Sequence, residues 1–218
     1  MSVAIHARDL TIVRNGVSIL TGIDFSVGHG ERVIVAGENG AGKTTLLKAA
    51  LGLVPLTAGT LSVLGSVVGS RQWKIRRRAV GYVNQESVQV DFPISAQEVV
   101  EIGLALQPRA GRRSRALAAM EQTGTATLAQ RDYRVLSGGE KQRVSIARCL
   151  AQDAAVLLLD EPGAFLDSKA RHDVISILEQ LNRDSALTVV LVTHQPDEIE
   201  SEGWRILTLS GGVIEEAS

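Results

Sequence analysis

At 218 residues, 44% hydrophobic and 22% charged, the chain has an ordinary globular composition and can bury a large core as one domain or as one with an inserted subdomain. Its formal net charge of −1 excludes an overall basic field that would gather nucleic acid or anionic lipid. A single cysteine, Cys149, excludes a disulfide framework, and its place in an apolar helical pattern makes it a buried thiol.

The opening MSVAIHARDL does not read as a secretion signal, and no apolar run reaches the ~18 residues of a spanning helix. A cytoplasmic chain is expected, with a membrane partner left open. Residues 3–36 hold the β-rich stretches VAIHARDLTIV, SILTGIDFSV and RVIVAG, separated by Asn15–Gly16 and Gly28–Gly30. They predict an antiparallel layer followed by a core strand. A helix is expected over 43–52 and a strand over 59–64. The run RQWKIRRR, 71–78, reads as a solvated basic face; Trp73 is its only aromatic, and no nucleic-acid partner is inferred. GYVNQ gives a strand ending at Gln85. From about 90 to 135 the pattern is helical, broken at Pro93, Pro108 and Gly111. Strands return at 155–160 and 187–193 around a helix at about 169–182, and RILTLS and GVIEE flank Gly211–Gly212 as a hairpin. The predicted class is α/β: a β/α core with an N-terminal antiparallel β layer and an inserted α-helical subdomain.

GENGAGKT, 37–44, is the sharpest chemical signal, and it directly follows the strand-like RVIVA. Backbone N–H groups of Gly37, Glu38, Asn39, Gly40, Ala41 and Gly42 wrap an anion, and the helix that follows adds its positive end. Lys43 reaches the β and γ phosphates, Thr44 offers its hydroxyl to Mg²⁺, and Thr45 closes the docking stretch. VLLLDEP supplies acids. Asp160 ends an apolar strand at the carboxyl edge of a parallel sheet, where ligands bind, and would hold Mg²⁺ through water. Glu161, pointing elsewhere along an extended backbone, would polarise the attacking water. His194 follows the strand LTVVLVT and would contact the γ-phosphate or steady Glu161. Gln85 also follows a strand and would ligate Mg²⁺ or the lytic water. His6, His29, His172 and His194 are too scattered to argue for a metal-ligand cluster.

The stretch LSGGEKQRVSIARCL, 136–150, precedes the acid-bearing strand. Ser137, Gly138 and Gly139 would sit at the N-terminus of a helix beginning near Glu140, a second anion site of amides, a hydroxyl and a helix dipole. One nucleotide does not need two phosphate cradles far apart in one subunit. Two subunits placed head to tail would use both, with C₂ symmetry and Asp167 near the seam.

Over nearly its full length the chain resembles the nucleotide-binding subunit of an ATP-binding-cassette (ABC) transporter. GENGAGKTT is similar to the Walker A loop, Leu136–Glu140 (LSGGE) to the family signature, and VLLLDE to the Walker B strand. Gln85 resembles the Q-loop glutamine, Asp167 the D-loop aspartate and His194 the switch histidine. The resemblance implies that ATP, with Mg²⁺, is bound between two cassettes and hydrolysed to drive a separate permease from the cytoplasmic face of the membrane. The implied partners are a second, identical cassette, the permease and, indirectly, a solute-binding protein. One ATPase domain over 1–218 is expected, with 1–87 and 136–218 as catalytic core and 88–135 as helical subdomain. YVNQESVQVDFPISAQEVVEIG resembles the cassettes of zinc, manganese or iron importers, so metal-ion import is expected. An importer cassette for haem, cobalamin or another solute, and a soluble ABC ATPase with no permease, such as an iron–sulfur assembly component, are the alternatives.

The chain also departs from the family pattern. Arg14, beside Val13, stands where a tyrosine that stacks on adenine is common, and a guanidinium plane can lie over a base. Asn84 replaces the usual proline before the glutamine. Gly163 and Phe165 replace the commoner residues of a DEPTSALD pattern. The acids themselves are intact.

Overall fold

The structure, a computed structural model, describes residues 2–84, 91–199 and 202–216, the Glu216 side chain excepted. Strands β1 (Val3–Arg14) and β2 (Val17–Gly28) form a long antiparallel hairpin. Its turn residues Asn15 and Gly16 have φ of 50° and 77°, the positive pair that matches the twist of flanking strands. Helix α1 (Lys43–Ala50) follows β3 (Arg32–Ala36). Strand β4 (Ala58–Val63) pairs with the other edge of β1, and a short β5 (Ser66–Val67), not expected from the sequence, completes this four-stranded layer.

The basic run at 71–78 is a solvated face with one buried anchor. It forms α2 (Trp73–Arg76) and a 3₁₀ turn over Arg77–Ala79. Trp73 is 2% exposed and belongs to the central core, while Arg71, Lys74 and Arg76–Arg78 stay in solvent. One anchoring indole thus fixes a turn whose cations remain hydrated.

Beyond it come β6 (Val80–Val83), α3 (Ala96–Ile102), α4 (Arg112–Gln122), α5 (Gly138–Ala151), β7 (Val156–Asp160), α6 (Ser168–Ser185), β8 (Thr188–Thr193), β9 (Arg205–Ser210) and β10 (Val213–Glu216). The larger sheet has the order β10-β9-β3-β8-β7-β6; all its pairs are parallel except β10 on β9, joined by the Gly211–Gly212 turn. Strands β3, β7 and β8 are apolar on both faces because both faces are covered. On one side α1 lies between the two sheets, packing Leu46 and Leu47 into a core with Leu10, Leu20, Val35 and Leu158. On the other, α5 and α6 bury Ile146, Cys149 and Leu178 against Leu157, Leu159 and Val189. Burial pushes the Cys149 thiol up from its ordinary value. A separate apolar cluster joins α3 and α4 to one flank of α5, around Val100, Leu104, Met120 and Val144.

Among the boundaries that differ from expectation, two bear on the site. Helix α5 starts at Gly138 rather than near Glu140, because Ser137 caps it. Strand β6 stops at Val83, and Gln85 lies outside the described residues.

Candidate active site

Strand order assembles the site. Strands β3, β8, β7 and β6 are consecutive neighbours in the parallel part of the sheet, about 4.8 Å apart. Their carboxyl ends deliver, in a row, the 37–45 loop, His194, the Asp160–Glu161 pair and Asn84. Residues more than a hundred positions apart therefore meet at one edge.

The loop is tied to its neighbour by the Gly37 N–H, which donates to the Thr193 carbonyl at 3.3 Å. Gly42 caps α1 with φ 105°, and a Cβ there would lie 2.7 Å from Leu20 Cδ2, so no other residue fits without displacement. Lys43 is 5% exposed. Its ammonium donates to the Gly37 and Glu38 carbonyls at 2.7 and 3.0 Å and sits 3.4 Å from Glu161 Oε1. Thr44 Oγ1 donates to Asp160 Oδ1 at 2.9 Å. A cavity of about 240 Å³ opens among Asn39, Gly40, Gly42–Thr45, Ile19 and Glu161. A larger groove, about 530 Å³, runs along α6 from Ser168 to Glu179 and contains none of the 37–45 loop.

Glu161 does not continue the strand as an extended residue, contrary to expectation. Strand β7 ends at Asp160, and Glu161 has φ 49°, left-handed backbone that costs a non-glycine residue about 1 kcal/mol or more. Its N–H donates to the Val192 carbonyl at 3.0 Å. This turn sends the carboxylate, 8% exposed, between two bases: His194 Nδ1 lies 2.7 Å from Oε2, opposite the Lys43 contact on Oε1.

Sequence reasoning missed two neighbours. Tyr82 donates its phenol proton to Asp160 Oδ2 at 2.9 Å. Burial and the carboxylate push the phenol well above its ordinary 10.0, so it stays a donor. The clue was strand register: Tyr82 pairs with Leu158, and Asp160 lies two residues on, upon the same face. Arg171, on α6, donates to the Gly163 and Leu166 carbonyls at 3.4 and 3.3 Å and forms an ion pair with Glu198. It thereby fastens the loop after Glu161 to the loop after His194.

The 136–140 segment does not line the cavity at 39–45. Leu136 is buried in the α3–α4 cluster. Ser137 and Glu140 form a reciprocal cap: the Ser137 N–H and hydroxyl donate to Glu140 Oε2 at 2.8 and 2.9 Å, and the Glu140 N–H donates to Ser137 Oγ at 3.3 Å. These bonds hold the Glu140 carboxyl below its ordinary value. A Cβ on Gly138 would stand 3.1 Å from Leu166 Cδ2, and one on Gly139 3.0 Å from Ala170 Cβ. Asp167 caps α6, accepting from the Ala170 N–H at 2.8 Å. Phe165 is 79% exposed. Arg14 is exposed at the end of β1, opposite Val17. Among the described residues, no group of three or more His, Cys, Asp or Glu forms a metal-ligand cluster, and no helix is long and apolar enough to cross a membrane.

The family model described as "ABC transporter" matches residues 20–164. The chain is 34% identical to the zinc transport system ATP-binding protein TroB of Treponema pallidum, over 99% of this chain and 81% of that protein. It is 37% identical to the energy-coupling factor transporter ATP-binding protein EcfA1 of Lactiplantibacillus plantarum, over 89% of this chain and 69% of that one. Among solved structures, a dimeric ATP-binding cassette in a post-hydrolysis state with ADP and phosphate superposes with a TM-score of 0.84 at 29% identity, over 97% of this chain and 98% of that chain. The phosphate loop, the acid-bearing strand and these matches lead to one conclusion: the chain belongs to the ABC transporter family, as a cassette that binds and hydrolyses ATP to power transport.

Proposed function

We propose that the chain acts as one half of a head-to-tail homodimer, with residues 37–45 of one copy and 136–140 of the other enclosing each ATP. The hydrolytic part of the reading rests on one arrangement, Glu161 held by His194 at 2.7 Å and Lys43 at 3.4 Å beside the Thr44–Asp160 pair at 2.9 Å; the pairing is supported by the 136–140 turn lining no part of the 39–45 cavity. Thr44 and Asp160 offer adjacent hard oxygens, a donor set that suits Mg²⁺; Gln85 would add a further oxygen. Bound there, Mg²⁺ would neutralise charge on the β and γ phosphates. Lys43 exchanges the Gly37 and Glu38 carbonyls for phosphate oxygens. Glu161 orients water and accepts its proton, while His194 fixes the carboxylate. Ser137 of the second copy gives up its bond to Glu140 and, with the Gly138 and Gly139 amides, donates to the γ-phosphate. Arg14 covers the base, and Asp167 lies at the seam. We read 1–218 as one ATPase domain, with 88–135 as its helical subdomain; the separate apolar cluster of α3 and α4 supports that division. Glu161→Gln tests the chemistry: ATP binding should persist while phosphate release falls about 10²- to 10⁴-fold. Near-normal turnover would remove Glu161 from its role.

The permease-borne cargo in this reading is a metal ion, with the cassette peripheral on the cytoplasmic face and a solute-binding protein engaged indirectly. Support comes from the 82–103 segment and from the zinc-system relative. A second reading, an energy-coupling factor cassette, is supported by the 37% identity to EcfA1. Deleting the gene and measuring cellular zinc, manganese and iron under scarcity separates them. Unchanged metals with a defect in another solute would overturn metal import.

A further inference from the structure

Asp160 is 1% exposed, and both of its carboxylate oxygens are engaged by protein hydroxyls. Thr44 takes Oδ1 and Tyr82 takes Oδ2, each at 2.9 Å. Thr44 has a further proposed use, its hydroxyl being offered to Mg²⁺. Tyr82 has none, since it sits on β6 behind the acid and lines no part of the loop cavity. Its phenol is also 3.3 Å from Asn84 Oδ1. One hydroxyl proton cannot serve two acceptors, and the shorter contact to a charged oxygen takes it. Turning the Asn84 amide about its terminal bond places Nδ2 where Oδ1 stands, and the amide then donates to the phenol oxygen. In that orientation, which belongs to the inference, the contacts would form a directed chain of hydrogen bonds from Asn84 to Tyr82 to Asp160.

We infer that this relay sets the orientation of the Asp160 carboxylate toward Mg²⁺, making Tyr82 a positioning residue and linking the metal-holding acid to the residue that precedes Gln85. The carboxylate needs such a fixture. Its terminal torsion is broad, so packing alone does not fix the plane in which the carboxylate stands. With one oxygen held by the phenol and the other by the Thr44 hydroxyl, that plane is set. Strand register makes the pin possible, because Tyr82 lies opposite Leu158 and points to the same face as Asp160. Proline at 84, the residue the family pattern leads one to expect, has no side-chain donor for the phenol. Asn84 therefore adds a link that the common pattern lacks.

The inference rests on the proposed Mg²⁺ role of Asp160, and the experiment separates the two. Mn²⁺ is titrated into the ADP-saturated protein and followed by electron paramagnetic resonance, for the wild type, Tyr82→Phe, Asn84→Ala and Asp160→Asn. ADP affinity without metal is measured alongside. Tyr82→Phe should weaken Mn²⁺ binding about tenfold, the scale of one hydrogen bond to a charged group, with metal-free ADP affinity unchanged. Asn84→Ala, which keeps the phenol, should weaken it about threefold, and it carries the test if Tyr82→Phe does not fold. Wild-type Mn²⁺ affinity in Tyr82→Phe, with Asp160→Asn impaired, overturns the relay alone. Wild-type affinity in Asp160→Asn overturns the metal reading and the relay with it. Equal losses of Mn²⁺ and metal-free ADP binding in Tyr82→Phe would mark general distortion and also overturn the relay. An unchanged Asn84→Ala beside a weakened Tyr82→Phe removes Asn84 from it.

Discussion

Lys43 has two partners to satisfy, and they compete. Its ammonium is built to meet phosphate, yet in the protein alone it neutralises Glu161, both side chains being more than 90% buried. Removing one member of a buried pair costs on the order of 3 kcal/mol where the other charge is left stranded; Glu161 keeps His194 at 2.7 Å, so the cost here is a part of that. Lys43→Ala should therefore lower the melting temperature without nucleotide, besides weakening ATP binding. Lys43→Ala/Glu161→Ala should recover most of that loss in a double-mutant cycle; strictly additive losses would show that the pair is not coupled. Gly163 follows similar steric logic. A Cβ at 163 would lie 2.9 Å from Arg171 Nε, so the unusual glycine makes room for the side chain that binds the Gly163 and Leu166 carbonyls. The acids and the lysine were legible in the sequence because their spacing along the chain is itself the chemical requirement. Tyr82 and Arg171 were not, since their contacts cross strands and loops. Nor was the left-handed turn at Glu161, which the Val192 carbonyl imposes from the neighbouring strand.

Helices α3 and α5 share a device that hydrophobic periodicity does not reveal. Each begins with Ser-x-x-Glu closed into a reciprocal cap, Ser95 with Glu98 and Ser137 with Glu140. Reading the spacing as an N-terminal signal would have placed the start of α5 at Gly138, whereas treating 137–139 chiefly as an anion turn pushed it two residues late. The core strands, by contrast, were nearly right from apolar runs alone, because a strand buried on both faces has little else to signal. The caps also titrate. Hydrogen bonds from Ser137 lower the Glu140 carboxyl from its ordinary 4.5, so its stabilisation is present above that pH and is lost as pH falls through the lower folded value. Below pH 4.5 the wild type should lose melting temperature more steeply than Glu140→Gln, a comparison thermal melts at stepped pH will read. Parallel slopes would remove the cap from the acid response.

At the scale of the molecule, the two anion receptors face different tasks. The 37–45 loop owns a cavity with its lysine, threonine and acid pair. The 136–140 turn shares none of it, and its serine is occupied by its own glutamate. A chain that completed its own site would bring the two together; here the 136–140 turn lines no part of the 39–45 cavity. Head-to-tail pairing, the arrangement proposed above, supplies the missing half of each site from the second copy. Asn39 and Ser137 are both exposed, so cysteines at these positions test it directly. With Cys149 replaced by alanine, Asn39→Cys/Ser137→Cys should form an intersubunit disulfide when ATP is present and much less without it. A mixture of the two single-cysteine chains should give the same product, since each seam needs only one cysteine from each side. Crosslinks confined within one chain, at concentrations where dimers persist, would overturn the sandwich. So would equal intersubunit yields with and without ATP, because the nucleotide is what must draw the two copies together at the seam.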